Sequence, residues 1–541
     1  MVTTITPNSG NDIADVRTEN GITYITFKKG VHHVNGDLLS ERQCFISNND
    51  PGLKRILVDL TDAKHVVVEG NGAELVMHGA VTPFYVSNAG DITIKNICID
   101  WDRPFLSQGL VEAAGEGYVD LFFALDTPFE IRNSSLYFIG DHYRSEHPHI
   151  ALAFDPVRAE TAFRANDHYA FRDHHRAEKI DDRRVRLFAA YNGLPSPGHM
   201  LVLSHQGRIA PALAVADSRA VTLENIAIYH AGAMGVIMQA TNDITLSHVS
   251  VMRRPGSGRV FSTHADATHF VDCGGSIRMY DCLFENQMDD PSNIHGIYYT
   301  VRQKLTGRSL IAGIGHHQQY GCMMLSPGDT AAFYDTRTMV KARAARVAEV
   351  TMINAAAYAM TFHETLPDLP WEHLSLMKEN HDIDVHIKGC TFRNNRARGL
   401  LISTLGKVIV EKNNFHVPGA AVLFEGDTNF WFESGPVEDV EIRENVFDQC
   451  NYGVWGRGLF QCTPRIPSPT RACFHSNVRI HDNSIRAIFY PLLYASATSG
   501  LSFTNNNVER GSDYPVSLAG DAIVCADEKT SCTSVGNRFP E

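Results

Sequence analysis

Residues 284–296 read FENQMDDPSNIHG, with Asp289 and Asp290 side by side and Asn293, His295 and Gly296 close behind. Adjacent acids repel, and burying either one without a partner is costly. The repulsion also has a use. Crowded like charges raise the proton affinity of one carboxyl, so that it stays protonated near neutral pH while a neighbour is ionised. Hydrolysis of a glycosidic bond needs that division: one carboxylic acid protonates the leaving oxygen, and one carboxylate activates water or attacks the anomeric carbon. A pair of acids by itself suits a solvated turn or a calcium site equally well, so its placement decides.

An eight-residue pattern recurs along the chain: apolar, any, apolar, a turn holding a small or amide residue, then apolar. It reads ITIKNICI (92–99), VTLENIAI (221–228), ITLSHVSV (244–251) and IRMYDCLF (277–284), and resumes as VHIKGCTF (385–392), VIVEKNNF (408–415), VEIRENVF (440–447), VRIHDNSI (478–485) and LSFTNNNV (501–508). Three neighbouring pairs are offset by 23 residues: 228 to 251, 392 to 415 and 485 to 508. Short strands at such a period mark a parallel solenoid, whose coils bury their apolar side chains only by stacking. The expected fold is all-β, a right-handed parallel β-helix. Asn, Asp, His and Gly at the bend tolerate left-handed backbone, and an Asn side chain can bond the next coil.

Two long gaps interrupt the repeat and read as small β-rich insertions, barrels or sandwiches, that wall off a cleft. The expected division is 1–104 for N-terminal coils, 105–210 for a first barrel-like insertion, 211–296 for central coils with the acids, 297–380 for a second insertion, and 381–541 for the last coils and cap.

The repeat locates the acids. Asp289 and Asp290 lie five and six residues beyond Phe284, and the same steps beyond Phe392 reach Ala397 and Arg398. One coil earlier, Asp266 precedes Asp290 by 24 residues, close to one period. Neighbouring strands stand about 4.8 Å apart, so Asp266, Asp289, Asp290 and Arg398 are expected to cluster on one exposed face. The three aspartates are the catalytic candidates, with acid and base undivided among them. Because Asp289 and Asp290 point to opposite sides of an extended segment, they are not expected to be the two halves of one acid–base pair.

Other residues fit a sugar site with less specificity. His295 suits a sugar hydroxyl, the orientation of a carboxylate, or a plain turn. The segment FEGDTNFWFESGPVEDV (424–440) interrupts the coils; its Trp431 suits stacking on a sugar face or simple packing, and its Glu433 suits gripping hydroxyls. Arg103, beside Trp101 and Asp102 at the end of an early coil, suits a ligand contact or a structural ion pair. The His-rich stretches HPHIA (147–151) and RDHHR (172–176) lack metal spacing and read as insertion surface. No metal and no cofactor is expected.

A net charge of −13 argues against a general nucleic-acid binder. No apolar run reaches the 18 residues of a membrane span. The polar start lacks a signal-peptide core, although a secreted or periplasmic setting is expected. Among 11 cysteines, Cys98, Cys282 and Cys390 fall inside strand patterns and read as buried. Cys462 with Cys473, and Cys525 with Cys532, are close enough in sequence to pair.

Together, CFISNNDPGLKRI (44–56), MHGAVTPF (77–84), IDWDRPFLSQG (99–109), FDPVRAETAF (154–163), HADATHF (264–270), MDDPSNIHG (288–296), NRARGLLIST (395–404) and NFWFESG (429–435) resemble glycoside hydrolase family 110. The resemblance covers most of the chain, from about 25 to 510. It implies a β-helix with two inserted small β-barrels, exo-acting α-1,3-galactosidase activity by inversion without a metal, and terminal α-1,3-linked galactose, as in blood group B and linear Gal-α-1,3-Gal glycans, as substrate. It leans towards a homodimer, and it matches Asp266, Asp289 and Asp290 to the family's acidic positions. A more distant resemblance, to polygalacturonases, is partial, because the NTD and RIK elements are absent in that form. The remaining alternatives are a polygalacturonase-like hydrolase and a β-helical protein that binds glycans without cleaving them.

Overall fold

The computed structural model describes residues 13–140, 143–145, 148–168 and 175–540. Its spine is a parallel β-helix with two long sheets, one of twenty strands and one of thirteen. The nine octets stack directly. Ile92, Ile94, Ile97 and Ile99 pair with Val221, Leu223, Ile226 and Ile228, which pair in turn with Ile244, Leu246, Val249 and Val251. The octet apolar residues face one continuous buried core.

The fifth octet residue makes the bend. Asn96, Asn225, His248, Asp281, Lys412, Glu444, Asp482 and Asn505 all have φ between 51° and 59°, and Gly389 has φ 70°. One residue later the core changes character along the spine. In the C-terminal coils the sixth position is Asn413, Asn445, Asn483 and Asn506, and each side-chain oxygen accepts the backbone N–H of the coil before it at 2.8–3.0 Å. Asn537 continues the ladder at 2.9 Å. The inter-coil amide bond expected at the bend is made there by Asn225 Nδ2, which donates to Asn96 Oδ1 at 2.8 Å, and in the C-terminal coils it is made just past the bend, where the side chain turns inward and its buried polar atoms find partners. At the eighth position Phe284, Phe392, Phe415 and Phe447 stack with ring centroids 4.7–5.8 Å apart.

Both insertions leave the stacking of coils intact. Strand Gly90–Trp101 pairs directly with Arg219–Ile228 across the first insertion, and Gly274–Tyr280 pairs with Ile383–Lys388 across the second. The first carries a seven-stranded antiparallel sheet, with Leu106–Gly115 and Met200–Ser204 at its centre, over its own core of Val119, Leu121, Phe123, Leu187 and Leu201. Its strand order does not close on itself among the described residues. The second is a closed barrel of six strands running from Tyr299–Lys304 to Leu374–Lys378, with Tyr299, Phe333, Val347 and Leu376 inside. No described helix is long and apolar enough to cross a membrane.

The cysteine expectations need correction. All eleven are free thiols. Cys462 points into the core from strand Phe460–Cys462, whereas the Cys473 thiol donates to the Lys529 carbonyl. Cys525 and Cys532 lie on strands of different sheets. Cys98 lies between the inward residues Ile97 and Ile99 and faces outward, half-buried, whereas Cys282 and Cys390 occupy the inward sixth position. Of the His-rich stretches, residues 147 and 172–174 lie outside the described residues.

Candidate active site

Three stacked strands of the thirteen-stranded sheet, Thr268–Val271, Ser292–Ile297 and Leu400–Ser403, are each entered through a turn that carries charge. Thr268 pairs with Ser292, and Ser292 with Leu400, which aligns Asp266 with Asp290 and Asp290 with Arg398 on successive coils. The Ala267 N–H donates to the Asp290 carbonyl at 3.0 Å and locks this register. The structure thus brings together the four residues that the repeat aligned. It corrects their exposure: Asp266 and Asp290 are only 3% and 1% exposed, and Asp289 is half-buried. The floor of the site is largely buried, not an open face.

Each aspartate has different partners. Arg398 donates to both Asp290 oxygens, through Nη2 at 2.8 Å and Nε at 3.2 Å, and its backbone N–H adds a third bond at 2.8 Å. Asp289 accepts from Arg396 Nη1 on one oxygen and from Arg208 Nη2 on the other, both at 2.9 Å. Asp266 Oδ2 is 2.6 Å from His269 Nδ1, and His269 Nε2 is 2.7 Å from His295 Nε2. His295 Nδ1 is 2.7 Å from the Gly296 carbonyl oxygen.

These partners divide the charge. Burial raises the Asp266 carboxyl well above its ordinary value, and Asp289 pushes the same way against Arg208 and Arg398. Burial lifts Asp290 to about 7; Asp289 and Asp266 add to this, and Arg398 opposes it. Burial would raise Asp289 as well, but Arg396, Arg208 and Arg398 outweigh it and hold that group below its ordinary value. Asp289 is therefore a carboxylate, while the stacked pair Asp266 and Asp290 resists carrying two charges. All three carboxyls act on one another, so Asp289 and Asp290 are electrostatically joined despite the alternation of their segment.

Both insertions reach this floor. Asp167, from the first, grips Arg396 through two bonds of 2.8 Å, and Trp455 Nε1 donates to the same carboxylate at 3.3 Å. From the second, His316 packs on Trp431 with ring centroids 4.6 Å apart, and the Arg208 guanidinium lies 5.6 Å from the Trp431 ring on its way to Asp289. The loop holding Trp431 is wound around Asp427, whose carboxylate accepts the N–H groups of Asn429, Phe430 and Trp431. Trp431 is half-buried.

Glu433 is brought in by strand pairing, Ile297 with Glu433 and Gly296 with Ser434. A Cβ on Gly296 would stand 2.5 Å from Ser434 Oγ and 2.7 Å from Asp272 Oδ1, so only glycine admits this approach. Glu433 accepts from Asn293 Nδ2 at 3.2 Å and lies 3.6 Å from His295 Nε2. Burial alone would raise it, but the Asn293 bond and the Arg398 guanidinium help to leave it below its ordinary value. Arg103 belongs elsewhere: it donates to Ser107 Oγ and the Ile139 carbonyl at the foot of the first insertion. Its neighbour Trp101 is a core residue.

His269, His295 and Glu433 offer ligand atoms within 4.8 Å of one another. The 2.7 Å separation of the two imidazole nitrogens is that of a hydrogen bond, whereas two nitrogens on one tetrahedral ion stand about 3.3 Å apart. We read the three as a hydrogen-bonded group and not as metal ligands. The sequence reading missed His269, Arg208, Arg396 and Asp167. His269 and Arg396 were within reach, being three residues from Asp266 and two from Arg398; Arg208 and Asp167 are placed by the first insertion, whose fold leaves no periodic trace.

A parallel β-helix whose coils carry a buried carboxylate floor, walled by two inserted β-domains, is the class of protein defined here. Residues 107–201 match the family described as GLAA-B beta-barrel domain I, 309–369 match GLAA-B beta-barrel domain II, and 376–540 match a right-handed beta helix region. Alpha-1,3-galactosidase A of Shewanella woodyi is 34% identical over 92% of this chain and 82% of its own length. Alpha-1,3-galactosidase B of Bacteroides thetaiotaomicron is 30% identical over 91% and 81%, and alpha-1,3-galactosidase A of Bacteroides fragilis is 31% identical over 87% and 78%. The chain belongs to the family of these relatives, glycoside hydrolase family 110.

Proposed function

We propose that this chain is an exo-acting glycoside hydrolase that releases terminal α-1,3-linked galactose, with Asp266, Asp289 and Asp290 as its reacting carboxyl groups. The observation that carries the reading is a floor of three carboxyls with opposed proton affinities, enclosed between two insertions, in a chain of this family. The enclosure supports removal of a terminal sugar over cleavage within a polymer. In the inverting reaction a base takes a proton from water as its oxygen bonds the anomeric carbon, and an acid gives a proton to the departing oxygen. Asp266 and Asp290 are stacked and resist double ionisation, whereas Asp289 is held apart by two arginines. The two jobs divide between that pair and Asp289. Trp431, Glu433 and Arg398 border the floor and are placed to contact the sugar.

The test is galactose release from α-1,3-, α-1,4- and α-1,6-galactosides, with and without an α-1,2-fucose branch. The expected result is cleavage of α-1,3 linkages with little action on melibiose, and β-galactose as the first product by NMR. Variants should fall into two classes when assayed on an aryl galactoside with an activated leaving group and with added azide: Asp266→Asn and Asp290→Asn respond alike, and Asp289→Asn responds differently. Efficient melibiose cleavage, or α-galactose appearing first, overturns the corresponding part of the reading.

A further inference from the structure

We propose that His269 and His295 hold Asp266 in its neutral acid form, so that the stacked pair Asp266–Asp290 carries a single proton, fixed on Asp266, and that His269 is a positioning residue for the reaction. The inference follows from the direction of the hydrogen bonds. The Gly296 carbonyl can only accept, so His295 Nδ1, 2.7 Å away, carries a hydrogen. In a neutral His295 ring, Nε2 is then an acceptor. His269 Nε2, 2.7 Å from it, must therefore be the donor. That leaves Nδ1 of a neutral His269 as an acceptor, and the atom facing it at 2.6 Å is Asp266 Oδ2. The hydrogen in this last contact has to come from the carboxyl group. A main-chain carbonyl two rings away thus dictates a proton on Asp266.

The surroundings agree. Both rings are almost completely buried, at 1% exposure for His269 and 3% for His295, where a charged imidazole is disfavoured. Burial pushes His269 down to about 4 and lowers His295 too. The charged groups acting on the chain are Asp289, Asp290, Arg208, Arg398 and Glu433. Of the stacked pair, Asp290 receives three N–H donors and Asp266 receives none from the histidines in this tautomer, so the charge resides on Asp290. The pair is then one acid and one carboxylate, set in order before substrate arrives.

The consequence for turnover rests on the functional reading above; the proton assignment does not. A neutron structure of the wild-type protein at neutral pD tests the assignment directly, without substrate or variant. The expected map shows deuterium on Asp266 Oδ2, His269 Nε2 and His295 Nδ1, and none on His269 Nδ1. Deuterium on His269 Nδ1, or on both nitrogens of His295, overturns it. The consequence is tested by the pH profile of kcat/KM on a terminal α-1,3-galactoside. In His269→Asn the side-chain amide can turn its N–H towards Asp266 and favour the ionised form. The alkaline limb should then move to lower pH by about one unit or more, and kcat/KM at the wild-type optimum should fall by ~10-fold or more. A uniform loss with an unmoved limb shows that His269 is merely structural and refutes the positioning role. A wild-type protein with the expected deuterium pattern that cleaves no α-1,3-galactoside refutes the functional reading and leaves the proton assignment standing.

Discussion

Replacing Arg396 by methionine keeps an unbranched apolar stem and removes the cation between two carboxylates. Arg396 is 16% exposed, Asp167 7% and Asp289 16%, so none of the three is well hydrated. Removing one partner from a buried pair leaves an uncompensated charge and costs roughly 3–5 kcal/mol. Because water reaches the edges of this triad, and Arg208 still holds Asp289, the lower end, about 3 kcal/mol, is expected. The loss has a pH signature. Asp289 lies below its ordinary value of 3.8 in the folded protein, with Arg396 the leading cation responsible. A depressed carboxylate contributes stability above its unfolded value and loses it as pH falls through the folded one. The stability gap between wild type and Arg396→Met should therefore be full at neutral pH and narrow below about pH 4. Denaturant titrations at neutral and acidic pH measure the gap. Equal midpoints at neutral pH, or a gap that persists unchanged into acid, would show that the Asp167–Arg396–Asp289 bridge does not hold the first insertion to the coils.

Asp266→Asn, Asp289→Asn and Asp290→Asn should each lower kcat by on the order of 10²-fold or more, measured as galactose release; Asp290→Asn should also lower the melting temperature, because it leaves Arg398 without the carboxylate that its guanidinium grips. Trp431→Ala should raise KM with a smaller effect on kcat, as expected for a contact made equally in ground and transition states. Gly296→Ala should push away Ser434 and with it Glu433, read as weaker galactose binding by calorimetry in a protein whose circular dichroism is unchanged. Exhaustive EDTA treatment should leave turnover intact, since carboxyl groups suffice for this chemistry; activity lost and then restored by calcium would count against the carboxylate mechanism.

What the sequence could reveal depended on whether a residue lies on the repeat. The octets stack as they read, because a coil can bury Ile92 or Val221 only by matching the same position on its neighbour. That constraint carried the alignment of Asp266, Asp290 and Arg398 through a turn and across an insertion. It could not reveal burial, because the insertions that cover the floor are set by their own cores. Nor could it reveal Arg208 or Asp167, which reach the acids from the first insertion and its exit. Trp431 and Glu433 were legible as a break in the coil, but their orientation came from Asp427 and from the strand pairing at Gly296. The same division explains Arg103, which sits where a coil ends and was drawn into the foot of the insertion that follows. The periodic part of the chain thus fixes the spacing of the carboxyl groups, and the aperiodic part sets their charge: Arg396 comes from the coil, but Asp167 holds it in place, and Arg208 completes the clamp that keeps Asp289 ionised beside a pair that resists carrying two charges. Relatives that retain the coils and vary the insertions should therefore keep the positions of the three acids while shifting the pH range over which they work.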